Sequence, residues 1–262
     1  MTWIAEYYPS QVKVYRDSET GRRVPSVSLL TSQILDAPYL PHPTEPDQGV
    51  KELMEAGALC HEIMAVLVRS GPRLPTPEEV EAIIHTRLGG HPDTLSDART
   101  YGAMCVSLRA TVKRYHQFSP VSIKDTETTL AHATLGYEAT FAGTPDAVAQ
   151  VNRPQQAVAL DWKFVFSGKP LNKATCVRPE HELAGQCYIM LLEESGHFSP
   201  HAPRPIARYF YVNELGETYV RTIKDSKERR ALIHASRTLL THRLETDLQC
   251  LDADTVKGGT YV

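Results

Sequence analysis

The chain reads as one α/β domain with extra helices ahead of its sheet. Three observations carry that reading. Apolar residues recur at three and four between 50 and 70, the period drops to two between 122 and 166, and helical spacing returns after 180. No repeat, low-complexity tract or linker divides the 262 residues. Residues 1–262 are therefore a single domain: an N-terminal arm (1–50), a helical region (51–118), a sheet core (119–223), and a C-terminal helix and tail (224–262).

Residues 1–50 are rich in Tyr, Pro and turn formers, with two short strands expected around Ala5 to Tyr15. Pro25-Ser26-Val27-Ser28 then opens a short helix to Leu35. From Val50 to Ser70 the stripe Leu53, Gly57, Cys60, Met64 and Leu67 marks an amphipathic helix that stops at Gly71-Pro72. Pro77 sits where a first helical turn accepts it, and that helix stops at Gly89-Gly90. A third helix runs from Leu95 to about Gln117. Strands follow at Ser122 to His132, Leu135 to Val151 and Gln156 to Phe166, the last two joined by Asn152-Arg153-Pro154. Glu180 to Glu194 is helical, Ala207 to Val212 and Thr218 to Ile223 form a hairpin around Gly216, and Lys224 to Leu251 is a long charged helix.

Lys plus Arg number 28 against 31 Asp plus Glu, a formal net charge of -3, which excludes a histone-like coating protein. With 42% hydrophobic and 23% charged residues, neither a disordered, a collagen-like nor a membrane class fits. Five cysteines without a CxxC pair give no disulfide framework and no zinc or iron-sulfur clip, so a reducing compartment is expected. The start lacks a secretory pattern, and the longest strongly apolar run, Tyr188 to Leu192, is too short to span a bilayer. A cytoplasmic protein without a membrane partner is the expectation.

The informative stretch is Ala159-Leu160-Asp161-Trp162-Lys163-Phe164-Val165-Phe166. Alternation puts Leu160, Trp162, Phe164 and Phe166 on one face and Asp161 with Lys163 on the other. Alternation alone is commonly the mark of an edge strand with one solvated face. A second lone Asp, Asp146, lies in the equally apolar run before it. If the intervening hairpin closes with an even-numbered loop, Asp146 lies beside Asp161 on one face. Two adjacent carboxylates repel unless a proton or cation lies between them. A hard divalent ion, Mg²⁺ or Mn²⁺, resolves that repulsion, and Lys163 lies one pleat away.

Gly143-Thr144-Pro145-Asp146 followed by Asp161-Trp162-Lys163 resembles the PD-(D/E)XK nuclease superfamily. Upstream, Gly57-Ala58-Leu59-Cys60-His61-Glu62 resembles the G-x-x-x-H motif of its RecB-type and phage exonuclease branch, and Val24-Pro25-Ser26-Val27-Ser28 resembles the P-S-V-T segment of phage members. Glu182-Leu183-Ala184-Gly185-Gln186 falls where that branch carries a helical Q-x-x-x-Y, with Glu182 and Gln186 in place of Gln and Tyr. A slid register makes Gln186 and Tyr188 the polar pair instead. The resemblance spans about residues 22–192.

That resemblance implies a restriction-endonuclease-like core, a central mixed sheet flanked by helices. It implies His61, Asp146, Asp161 and Glu127 as metal ligands for Mg²⁺ or Mn²⁺, with no iron-sulfur cluster. Glu138 rivals Glu127 for the additional acidic position. Lys163 would orient or deprotonate the attacking water, or offset charge developing at phosphorus. The substrate implied is DNA, single- or double-stranded, degraded from an end to 5′-phosphate products in recombination, repair or genome degradation. Glu182, Gln186, Tyr188, Lys169 and Lys173 are the substrate-positioning residues. Arg204, Arg208, Arg221, Lys224, Lys227, Arg229 and Arg230 offer either a phosphate track or a solvated face. A homo-oligomer or a recombination partner protein is also compatible. The altered Glu182 and Gln186 motivate an alternative, a nuclease-fold protein without turnover that binds DNA or a protein. The expected cell is bacterial, the chain being bacterial or phage-encoded.

Overall fold

The computed structural model describes residues 3–7, 13–35, 48–69, 76–87, 98–117, 121–126, 130–133, 139–152, 155–166, 169–195 and 201–247. Strands β1 (Trp3–Tyr7), β2 (Lys13–Asp17) and β3 (Arg23–Pro25) form an antiparallel sheet. Helix α1 (Val27–Ile34) follows, capped by Ser26, whose Oγ accepts from the Leu29 N–H at 3.1 Å. Helices α2 (Gln48–Arg69), α3 (Pro77–Arg87) and α4 (Ala98–Gln117) come next. A capping box starts α3: the Thr76 N–H donates to Glu79 at 2.7 Å and the Glu79 N–H to Thr76 Oγ1 at 3.3 Å.

The middle of the chain holds β4 (Val121–Thr126), β5 (Leu130–Ala133), β6 (Ala139–Gly143), β7 (Ala147–Asn152) and β8 (Gln155–Val165). After these come α5 (Lys173–Cys176), α6 (Pro179–Glu194), β9 (Ile206–Asn213), β10 (Thr218–Ile223) and α7 (Lys227–Asp247). The architecture is mixed α/β. The main sheet has the order β10-β9-β8-β7-β4, in which only the β8/β9 neighbours run parallel, and β5 pairs with β6 separately.

Strand β8 is the centre of the main sheet, so the edge-strand explanation of its alternation fails. Both of its faces are buried. Val158, Leu160 and Trp162, with Phe210 of β9, pack against Cys60, Ile63 and Met64 of α2, Ile84 of α3, and Met104 and Leu108 of α4. Ala157 and Ala159, with Tyr209 and Tyr211, pack against Cys187 to Leu192 of α6, Leu30 of α1 and Ile233 of α7. Helices on both faces leave the ends of the strands as the place where polar side chains gather.

Two expected strands are divided, and the N-terminal segment is packed. Within the expected N-terminal arm, Val14, Tyr15 and Val24 are buried, Glu6 bridges Arg16 and Arg23, and the Tyr15 hydroxyl bonds Thr144 Oγ1 at 2.9 Å. The expected strand from Leu135 to Val151 is two strands in two sheets. Pro145 offers no N–H to a ladder. Gly143 also sits so close to α1 that a Cβ there would lie 2.5 Å from Val27 Cγ2. The Ser122 to His132 strand is likewise divided between β4 and β5.

Candidate active site

The β7/β8 hairpin closes with Asn152 opposite Gln155 and Ala147 opposite Leu160, which continues to Asp146 opposite Asp161. The even-numbered loop expected from the sequence produces that register. Asp146 occupies the bend just before β7, and its Oδ2 accepts the Trp162 N–H at 2.6 Å. The carboxylate is thereby tied to β8 as well as to its own strand. His61 arrives from α2, its Nδ1 3.1 Å from Asp146 Oδ2 and its ring edge-on to Phe164 at 5.4 Å.

Lys163 Nζ forms an ion pair with Asp161 Oδ1, and Asp161 is 7% exposed. That oxygen accepts no aligned hydrogen bond. Burial, reinforced by the neighbouring Asp146 charge and opposed by Lys163, raises the Asp161 carboxyl to about 6. Burial also acts on Asp146, but His61, Lys163 and the Trp162 N–H outweigh it and hold that carboxyl below its usual range. Burial would push Lys163 and His61 down; the carboxylates, Asp161 first for Lys163 and Asp146 first for His61, raise both instead. The group is two cations and two anions interleaved.

Among the described residues no three His, Cys, Asp or Glu side chains form a group that could hold a metal ion. His61 and Asp146 face each other, and Asp161 faces Lys163. Glu127 and Glu138 lie outside the described residues. In kind, the donors suit a divalent ion: an imidazole nitrogen and two carboxylates, of which Asp161 Oδ1 is paired to Lys163. A Cβ at Gly57, one turn from His61, would meet nothing within 4 Å, so packing inside the chain does not demand that glycine.

The helix α6 residues part company. Glu182 is held by Arg221 at 2.8 Å and Arg229 at 3.0 Å. Gln186 is fully buried, donating to Asp225 and accepting from the Ser226 N–H, each at 2.8 Å. Both side chains anchor α6 to the segment before α7 and to its first turn, so in this structure the residues expected to position substrate are engaged by internal partners. Tyr188 stands at the site, its hydroxyl 3.4 Å from the Thr144 carbonyl oxygen and electrostatically coupled to Asp161 and Asp146. Lys169 and Lys173 are exposed beyond the end of β8. Of the basic residues, Arg221, Arg229, Arg230 and Arg204 pair internally with Glu182, Glu193 or Asp225, and Arg208 donates to Thr222.

Three residues that sequence reasoning passed over adjoin Lys163: Tyr209, Tyr211 and His181. The parallel register puts Tyr209 beside Asp161 and Tyr211 beside Lys163. The signal was the alternation Tyr209-Phe210-Tyr211, which turns both phenols to one face. Nothing local marks His181.

No family model and no curated protein matches the chain. A solved structure described as "Crystal structure of SSO0001" is similar over 82% of this chain and 84% of that one, at 12% identity and a TM-score of 0.32. No helix among the described residues is long and apolar enough to cross a membrane.

Proposed function

We propose that this chain is a divalent-metal-dependent DNA nuclease with a PD-(D/E)XK-type core, acting on DNA ends and leaving 5′-phosphate products. One observation supports this most. A histidine from α2, an aspartate from the bend before β7, and an Asp-Lys pair from β8 converge at one end of the central sheet. Buried charges of this kind are costly unless they serve chemistry or are fully compensated.

His61, Asp146 and Asp161 would hold the ion, with Glu127 or Glu138 as the added acid on sequence grounds. When bound, a divalent ion supplies Lewis-acid polarisation of a phosphoryl oxygen and lowers the pKa of water. Lys163, charged because two carboxylates surround it, offsets negative charge as it develops at phosphorus or orients the attacking water. Asp146 fixes the His61 ring through Nδ1, and Phe164 limits its tilt.

The test incubates linear and closed-circular DNA, single- and double-stranded, with Mn²⁺ or Mg²⁺. Cleavage of linear DNA alone, abolished in Asp161→Asn and Lys163→Ala proteins that remain folded, supports the exonuclease reading. A wild-type protein that is free of chelator and cuts no nucleic acid with either ion sinks it. DNA binding without turnover is a second reading, favoured by the absence of a three-ligand group among the described residues. It predicts salt-sensitive DNA binding and no product in the same assay.

A further inference from the structure

We propose that His181 is a positioning residue for Lys163, acting through the ring of Tyr209. The inference rests on the reading of Lys163 as the cation that meets the phosphodiester. Lys163 Nζ stands 5.8 Å from the Tyr209 ring centroid, on the side chain registered beside Asp161. The His181 imidazole stacks on the same ring, centroids 5.3 Å apart and planes 18° from parallel. Tyr209 is buried to 1% and its hydroxyl has no hydrogen-bond partner, so packing and ring contacts hold it.

The imidazole is itself fixed. Its Nδ1 lies 2.8 Å from the Tyr211 hydroxyl, and a hydrogen bond to the Cys176 backbone ties it to α5. Tyr211 in turn packs on Tyr209 at 6.2 Å and on Tyr219 at 6.1 Å. Burial first, then the Lys163 charge, pushes His181 down to about 4, so the ring is neutral at neutral pH and does not repel the ammonium. A lysine side chain has four carbons of freedom, and the Asp161 carboxylate restrains only its tip. The Tyr209 ring, held by the His181 stack, offers the ammonium a second point of restraint, since a cation over an aromatic face is attracted to it.

The experiment uses the full chain, ¹⁵N,¹³C-labelled at lysine, with the Lys163 side-chain resonances assigned by Lys163→Arg. The ring face shifts those resonances upfield in the wild type, and Tyr209→Phe keeps the shift because the ring remains. His181→Ala and Tyr209→Leu move the resonances toward those of exposed lysines. In the cleavage assay the same two variants lose about tenfold in kcat, with KM for DNA within about twofold of wild type. His181 is half-buried, so its alanine variant folds even if Tyr209→Leu does not. Unmoved Lys163 resonances in His181→Ala, or a shift lost in Tyr209→Phe, overturn the proposal. A wild type without nuclease activity would defeat the proposed function, while the resonance shifts still decide the positioning.

Discussion

Asp161 is ionised against its surroundings. Its carboxyl rises from 3.8 to about 6, chiefly through burial and then through Asp146, so the folded chain binds that proton more tightly than the unfolded chain does. The contribution therefore stabilises the fold as pH falls through about 6 and is complete near the unfolded value. Above pH 7 the charged carboxylate costs up to roughly 3 kcal/mol. Asp161→Asn removes that cost and keeps the shape, though it also takes a partner from Lys163. In chelator at pH 8 the variant should be more stable than wild type by about 1–2 kcal/mol, a gap that closes toward pH 4. Denaturant titrations at a series of pH values measure it; an unchanged gap across pH would show that Asp161 is not strained. Lys163→Met has the opposite sign. It leaves two buried carboxylates without their shared cation and should cost about 2–4 kcal/mol at pH 8.

Elements were legible in the sequence where their cause is local. Helices α2, α3 and α6 follow from apolar spacing, Pro77 and stop signals, and the Asp146/Asp161 pairing follows from alternation plus one turn. What escaped depends on distant partners. The break between β6 and β7 arises because Gly143 must pass beneath Val27, 116 positions earlier, so Gly143→Ala should cost about 1–3 kcal/mol by overpacking. Val27→Ala in the same chain should recover part of that loss, since it removes the methyl in the way; thermal unfolding of the pair and of each single variant decides it. The docking of β1 to β3 rests on the Tyr15 to Thr144 bond across 129 positions, which no local pattern announces. Helix α6 gives the sharpest case. Glu182 and Gln186 fall where the motif wants substrate contacts, yet their partners lie 39 to 47 positions on, in and before α7. Glu182→Gln should thus lower stability, by roughly 1–2 kcal/mol, and leave DNA affinity within about twofold. A loss of affinity without loss of stability would support the substrate-positioning role instead.

At the scale of the molecule, the -3 net charge says less than the distribution of the charges. Arg16 and Arg23 are taken up by Glu6, Arg221 and Arg229 by Glu182, and Arg204 and Arg230 by Asp225, with Glu193 also holding Arg230. These arginines brace one element against the next, so they contribute little to a phosphate track. Lys169 and Lys173, exposed just past the strand that carries Asp161 and Lys163, are better placed to meet a backbone leaving that end of the sheet. Each phosphate neutralised on duplex DNA contributes about 0.9 to the slope of log affinity against log salt. With these six arginines engaged, binding through Lys169 and Lys173 should show a shallow slope, on the order of 2 to 4, rather than the steep dependence of a basic groove. Changing both lysines in Lys169→Ala/Lys173→Ala should lower that slope by about 1 to 2 and weaken binding alike for all sequences, without altering thermal stability. Fluorescence anisotropy across a salt series, in Ca²⁺ to hold back turnover, reads both quantities. A wild-type slope near 8, or a double variant with an unchanged slope, would mean that DNA follows a different surface of the molecule.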